Sequence, residues 1–289
     1  MSVKIATSIL TLVAGVGVFL IACTMMSSNL EAVGSKKLKS LFTKASKSKL
    51  VGVGVGTVTT AVIQSSSATS VMVIGFVNAG IMSLAQAATV IFGANIGTTV
   101  TGQLVALGMF NKGSVPTSVI FATLAGFGAF ILAFAKKDKT QKIGGIMAGF
   151  GMLFVGLTLM GDSMSFFSEL EGVKLFLAKF ENPLVLVLIG TIITGIIQSS
   201  SVMTSMAITM VVTGLINLNQ GIYITMGANI GTCVTALIAG MTSTRNAKRT
   251  ALIHLIFNVS GVIIFMIAGL IIGIRGVNYG VLFNKTFPH

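Results

Sequence analysis

Residues 50–111 contain no Asp, Glu, Lys or Arg, and neither do residues 182–244. Runs of that length cannot cover a soluble domain, which needs charge at its surface, but they suit a bilayer. One membrane span takes about 20 residues, so each run holds backbone for about three crossings. The rest of the chain agrees, being 54% hydrophobic and 9% charged, with a mean hydropathy of +0.98. Each run is nevertheless interrupted twice. The first carries Gln-Ser-Ser-Ser at 64–67 and Gly-Ala-Asn-Ile-Gly-Thr at 93–98; the second repeats both, at 198–201 and 227–232.

The two pairs of motifs share one offset, 198 − 64 = 227 − 93 = 134. The same shift lays Gly80 over Gly214, Leu84 over Leu218 and Gln86 over Gln220, and sets "VFLIACTMM" (18–26) over "MLFVGLTLM" (152–160). No gap is needed from about residue 7 to 124, so the chain is a duplicated unit. The division predicted is a first membrane repeat over 1–135, a cytoplasmic linker over 136–142, and a second membrane repeat over 143–289.

Within each copy the most economical arrangement is a re-entrant hairpin with its tip at the serines, followed by a span broken at the Asn-Gly motif. This predicts hairpins at 50–78 and 184–213 and broken spans at 82–110 and 218–240. Irregular backbone at membrane depth is tolerated only where protein or a water-filled cavity surrounds it. Full crossings are expected at 5–27, 115–135, 143–161 and 250–274 as well, with an outer segment at 162–182. The topology then puts Lys36–Lys49, the "KKDKTQK" stretch (136–142) and "RNAKR" (245–249) on one side, as the positive-inside rule requires. That rule, rather than nucleic-acid binding, accounts for the net charge of +13. Three crossings per copy is an odd number, so the second copy is inverted, and the N-terminus lies outside. The predicted fold is an all-α integral membrane protein of the cell (inner) membrane, with an inverted repeat, two opposed re-entrant helical hairpins and two broken transmembrane helices.

Inverted repeats with interrupted helices place substrate near the midplane, at the repeat interface. Free backbone N–H groups at helix starts cradle phosphate-like anions, and serine hydroxyls add donors. Hydroxyl lone pairs and the amide carbonyls of Gln64, Gln198, Asn95 and Asn229 suit a hard cation. Neither charge-free run offers a carboxylate for proton coupling, nor a Lys or Arg to neutralise an anion. Helix ends and co-bound cations must supply the counter-charge. A doubly charged anion travelling with two sodium ions is near neutral, which favours sodium coupling.

The paired "QSSS" signatures, each followed by "GANIGT", resemble the sodium–phosphate cotransporters of the type II class and their bacterial relatives, over about residues 7–274. The resemblance implies sodium-driven transport of inorganic phosphate with both clusters at the site, in a chain that is often dimeric. Carried over by position, phosphate would meet Ser65, Ser66, Ser67, Ser199, Ser200, Ser201, Asn95 and Asn229. Sodium would meet Gln64, Ser65, Thr69, Asn95, Thr98, Gln198, Ser199, Asn229 and Thr232, with Ala68 also at the first tip. No cofactor is implied beyond the transported sodium ions. The copies depart from one another: Met203 stands where the first has Thr69, and Cys233 where it has Thr99. Unequal halves are therefore expected. Some bacterial relatives carry a soluble domain after the membrane part, and this sequence ends at His289 without one.

Other motifs read as structural. "VGVGVG" (51–56) lacks the acidic residue a dinucleotide loop needs and is expected to pack helices. "LIAC" (20–23) resembles a lipoprotein cleavage site, but its counterpart deep in the second copy argues for a retained helix. Cys23 and Cys233 lie in apolar segments and suggest neither a disulfide nor a metal. His254 is expected to be a satisfied structural histidine, and the basic stretch 36–49 to lie along the inner interface. An enzyme would need a nucleophile with a base or a carboxylate–metal cluster, and the charge-free runs contain neither acid nor histidine. A passive phosphate channel or exporter, or a carrier of sulfate or dicarboxylate, is the competing function.

Overall fold

A computed structural model describes residues 2–44, 48–110, 117–274, 278, 279 and 281, and all its regular elements are helices. They are α1 (Ser2–Lys44), α2 (Lys49–Ile63), α3 (Ser66–Asn78), α4 (Leu84–Phe110), α5 (Thr117–Phe134) and α6 (Asp138–Glu169). There follow α7 (Glu171–Ala178), α8 (Pro183–Ile197), α9 (Ser200–Val212), α10 (Leu218–Gly231), α11 (Cys233–Met241) and α12 (Arg245–Ile274).

The offset of 134 recurs in the helix boundaries and in the residues that set them. α2 and α8 both end on a glutamine in the left-handed region, Gln64 at φ 60° and Gln198 at φ 59°. The next serine of each pair, Ser65 or Ser199, caps α3 or α9 by accepting from Ala68 N at 3.1 Å or Val202 N at 3.4 Å. α3 and α9 stop at Gly80 and Gly214, both at φ 71°, a conformation glycine adopts without steric penalty. The N–H of Ile81 reaches back to Phe76 O and that of Leu215 to Met210 O, closing the turn around the glycine. Capping boxes then start the next helices: Ser83 and Gln86 exchange bonds before α4, as Asn217 and Gln220 do at α10.

Four helical stretches among the described residues are long and apolar enough to cross a membrane: Val3–Gly34, Asp138–Glu169, Leu218–Met241 and Arg245–Ile272. α2, α3, α8 and α9 are not. At 13 to 15 residues they reach about 20–22 Å, short of a hydrocarbon core of about 30 Å. α2 and α3 fold back on one another, with Thr60 bonded to Thr69 and Val55 packed with Val73 and Ile74 in one apolar core.

Glycine lets helices touch through their backbones. A Cβ on Gly93 would lie 1.9 Å from Val53 O, and one on Gly227 would lie 2.0 Å from Val187 O. A Cβ on Gly97 or Gly231 would lie 2.5 Å from Thr57 O or Thr191 O. Thr57 and Thr191 each donate across the same crossing, to Gly93 O and Gly227 O at 3.1 Å. The expected breaks at the Asn-Gly motif have different outcomes in the two copies. α4 runs unbroken through 93–98. The second span divides at Thr232, the last residue of its motif, into α10 and α11, although Thr232 stays near helical geometry at φ −62°, ψ −25° with its N–H bonded to Ala228 O. In both copies the glycines accommodate a neighbouring helix. Gly56, within the 51–56 glycine stretch, plays the expected packing part against Val90 O.

α1 packs along α6, its counterpart under the offset. Gly15 faces Gly156 and Met160, while Gly149 faces Ala22 and Met26, so contacts fall on α6 as they rise on α1 and the helices run antiparallel. The exchange is reciprocal: residues 15 and 22 of one copy meet the equivalents of 22 and 15 in the other. Two further stretches are defined. α1 continues as helix through 36–44, where Phe42 is buried, and residues 45–47 lie outside the described residues. α6 extends as helix through 162–169. His254 is buried on α12, but its Nδ1 has no hydrogen-bond partner among the described residues.

Gly93→Val and Gly227→Val should each prevent α2–α4 or α8–α10 contact, giving loss of monodisperse protein in detergent size-exclusion chromatography. Gly54→Val, where a Cβ meets nothing within 4 Å, should leave the elution profile unchanged.

Candidate functional site

Both Gln-Ser-Ser-Ser tips open on one cavity of about 360 Å³. Gln64, Ser65, Ser66, Ser67 and Ala68 form one wall, and Gln198, Ser199, Ser200 and Ser201, with Ile197, form another. The glutamine in the left-handed region turns the chain through the tip, and the following serine starts a new helix aimed away from it. α3 and α9 thus present their N-terminal ends to the same space. The first N–H groups of a helix have no intrahelical acceptor, and each helix start carries about half a positive charge. Two such starts, with serine hydroxyls beside them, can hold an oxyanion without a formal cation.

The third wall was not foreseen. One face of α1, made by Leu20, Cys23, Thr24, Ser27, Ser28 and Glu31, lines the cavity over about 16 Å of helix rise. Ser27, Ser28 and Glu31 recur at helical spacing and end in a carboxylate, which is the signal the sequence held. It lies outside the two charge-free runs.

The remaining expected ligands lie outside this lining. Thr69 is fully buried behind the first tip, where its Oγ1 donates to Ser65 O at 3.1 Å and accepts from Thr60 Oγ1 at 3.0 Å. Asn95 Nδ2 donates to Ile91 O on its own helix. Thr98 and Thr232 likewise bond to Ala94 O and Ala228 O, and Asn229 lends its backbone carbonyl to the Cys233 thiol. The lining accordingly gathers the two serine clusters and both glutamines, and leaves Thr69, Asn95, Thr98, Asn229 and Thr232 apart.

The tips are unequal in their bonding. Gln64 accepts from Thr101 Oγ1 at 2.8 Å and donates to Ala61 O, so its amide is held from both ends. At the second tip the equivalents of Thr60 and Thr101 are Thr194 and Thr235, and their buried hydroxyls have no hydrogen-bond partner among the described residues. Thr194 lost its partner to chemistry: Met203 fills the place of Thr69 and is 2% exposed. Gln198 is exposed to the cavity, whereas Gln64 is half-buried. Thr69→Val removes an acceptor at constant shape and strands Thr60 as Thr194 is stranded. It should cost about 1–3 kcal/mol, read as a lower thermal midpoint in detergent.

A family model described as Na+/Pi-cotransporter matches residues 18–162 and 167–281. Over 245 residues the chain is 31% identical to "Uncharacterized protein YqeW" of Bacillus subtilis (strain 168), covering 84% of this chain and 77% of that one. It is 23% identical over 260 residues to "Putative inorganic phosphate export protein YjbB" of Escherichia coli (strain K12), covering 90% of this chain and 46% of that one. It is 40% identical over 83 residues to "Sodium-dependent phosphate transport protein 2B" of Homo sapiens, covering 27% of this chain and 12% of that one. The chain thus spans less than half the length of the latter two relatives. No solved structure matches. With four helical stretches able to cross a bilayer and the family model matched on both copies of the repeat, the chain is a multi-pass membrane protein of the Na+/Pi-cotransporter family.

Proposed function

We propose that the protein is a secondary active symporter that couples inward sodium movement to transport of inorganic phosphate by alternating access. The observation that carries the reading is the single cavity lined by both Gln-Ser-Ser-Ser tips. Two helix N-termini and six serines favour a small tetrahedral oxyanion, and the membership of a transporter family supports a carrier over an enzyme. In this reading Ser65–Ser67 and Ser199–Ser201 hold phosphate, while Gln64, Gln198 and the hydroxyls and carbonyls behind them hold sodium. Bringing sodium with the anion lowers the charge that must cross a low-dielectric path.

The antiparallel, reciprocal packing of α1 on α6 supports copies inverted in the membrane. The shortness of α2, α3, α8 and α9 supports two re-entrant hairpins meeting near the midplane. Such a fold has two related conformations, in which the cavity opens first along one copy and then along the other. The N-terminus lies outside, and the basic segment 136–142 inside the cell membrane.

Purified protein in proteoliposomes should accumulate labelled phosphate when sodium is imposed outside, and should lose that uptake when the gradient is collapsed. Phosphate flux indifferent to the sodium gradient would establish a channel or exporter instead, and equal competition by sulfate or succinate would change the assigned cargo. Ser66→Ala and Gln64→Ala should each reduce sodium-driven uptake at least about tenfold, the scale of one lost charge-assisted hydrogen bond, in protein that still elutes as a single species.

A further inference from the structure

The wall contributed by α1 puts a carboxylate in a cavity otherwise built to hold an anion. Glu31 lines the same space as both serine clusters, and it is the only acidic side chain in that lining among the described residues. It is exposed rather than buried in packing, and it makes no ion pair among the described residues. Ser27 and Ser28 stand one turn before it on the same face. The Ser28 hydroxyl donates to Thr24 O at 2.8 Å, which leaves its lone pairs available.

The arrangement belongs to one copy only. Under the offset of 134, Glu31 corresponds to Ser165, Ser28 to Asp162 and Ser27 to Gly161, and none of these lines the cavity. A bare carboxylate beside an oxyanion site repels the ligand that the helix ends attract. A cation held by the carboxylate removes that repulsion, and hydroxyl oxygens beside a carboxylate are the ligands a hard cation takes.

We propose that Glu31, with Ser27 and Ser28, forms a cation site on α1. An alkali cation, sodium in the proposed cycle, occupies it and converts the cavity from one that repels phosphate to one that accepts it. This rests on reading the cavity as the phosphate site. It adds a ligand set from outside the repeated motifs and makes sodium binding the condition for tight phosphate binding. By linkage, the same coupling tightens sodium when phosphate is present.

The test compares the wild-type full chain with Glu31→Gln and Glu31→Asp. Without phosphate, the thermal midpoint in detergent is followed against sodium chloride, with choline chloride as the ionic-strength control. The wild type should be stabilised by sodium; Glu31→Gln should need about tenfold more sodium, and Glu31→Asp should stay within about threefold of wild type. In proteoliposomes, Glu31→Gln should show phosphate uptake whose half-saturating phosphate concentration no longer falls as sodium is raised. At low sodium it should bind phosphate at least as well as wild type, a result that a merely structural lesion does not produce.

An unchanged sodium titration in Glu31→Gln overturns the proposal, as does an equal loss of sodium and phosphate affinity in both variants. If wild-type phosphate flux ignores sodium while the detergent titration still depends on Glu31, the symport reading fails and the cation site stands. If wild-type uptake is sodium-driven and Glu31→Gln matches it at every sodium concentration, the symport reading stands and the cation site fails.

Discussion

A helix end leaves backbone groups without intrahelical partners, and the architecture of this protein follows from where those groups go. At each tip a glutamine in the left-handed region closes the incoming helix by donating its N–H to the carbonyl four residues before, Thr60 or Thr194. The next serine caps the outgoing helix through its side chain. What remains unpaired is the first turn of α3 and of α9. Both face the shared cavity, so the backbone donors that a fold must normally hide become its polar lining. A non-glycine residue in the left-handed region costs about 1–2 kcal/mol. Holding two of them at equivalent tips fits a site whose geometry is required by function.

That arrangement needs rigid support, which comes from helices in backbone contact. Gly93 and Gly97 admit α2, Gly227 and Gly231 admit α8, and a threonine hydroxyl bonds across each crossing. Van der Waals contact and interhelical hydrogen bonds hold helices together in lipid, where burial of apolar surface supplies little. The hairpin and its partner helix therefore form a tightly registered unit, and the chain contains it twice. α1 and α6 join the two units through a reciprocal antiparallel seam, and α1 also supplies the third wall of the cavity.

The two halves share a backbone but differ in chemistry. The first tip is closed by a chain of hydroxyl and amide bonds from Thr60 through Thr69 and from Thr101 to Gln64. In the second, Met203 replaces the middle of that chain, and Thr194 and Thr235 keep buried hydroxyls without partners. The duplicated fold thus satisfies Thr60, Thr69 and Thr101 at the first tip, while the equivalents Thr194 and Thr235 at the second keep spare hydrogen-bonding capacity, as Thr59 and Ser70 do beside the first.

Much of this was legible before any coordinates. Long charge-free runs required a membrane protein, and a constant offset required a duplication. Three serines behind a glutamine signalled a helix break, because such residues compete with helical hydrogen bonding while capping the next helix well. The Asn-Gly motif reads ambiguously, because glycine weakens an isolated helix and equally admits a neighbour: α4 runs through it unbroken, whereas α10 gives way to α11 at Thr232. The resemblance places Asn95 and Thr98 with the serines, but helical geometry turns their side chains back to Ile91 O and Ala94 O. Glu31 is illegible in the sequence for the opposite reason. It sits 33 residues before the first tip, and only the placement of α1 beside both tips brings it to the cavity. Sequence by itself determined the medium, the repeat, the helix ends and the residues of the tips, since these depend on local propensity and on hydropathy. Tertiary structure alone decided that the tips share one cavity, that the glycines serve contact, and that a carboxylate stands among the serines, because each depends on which helices meet.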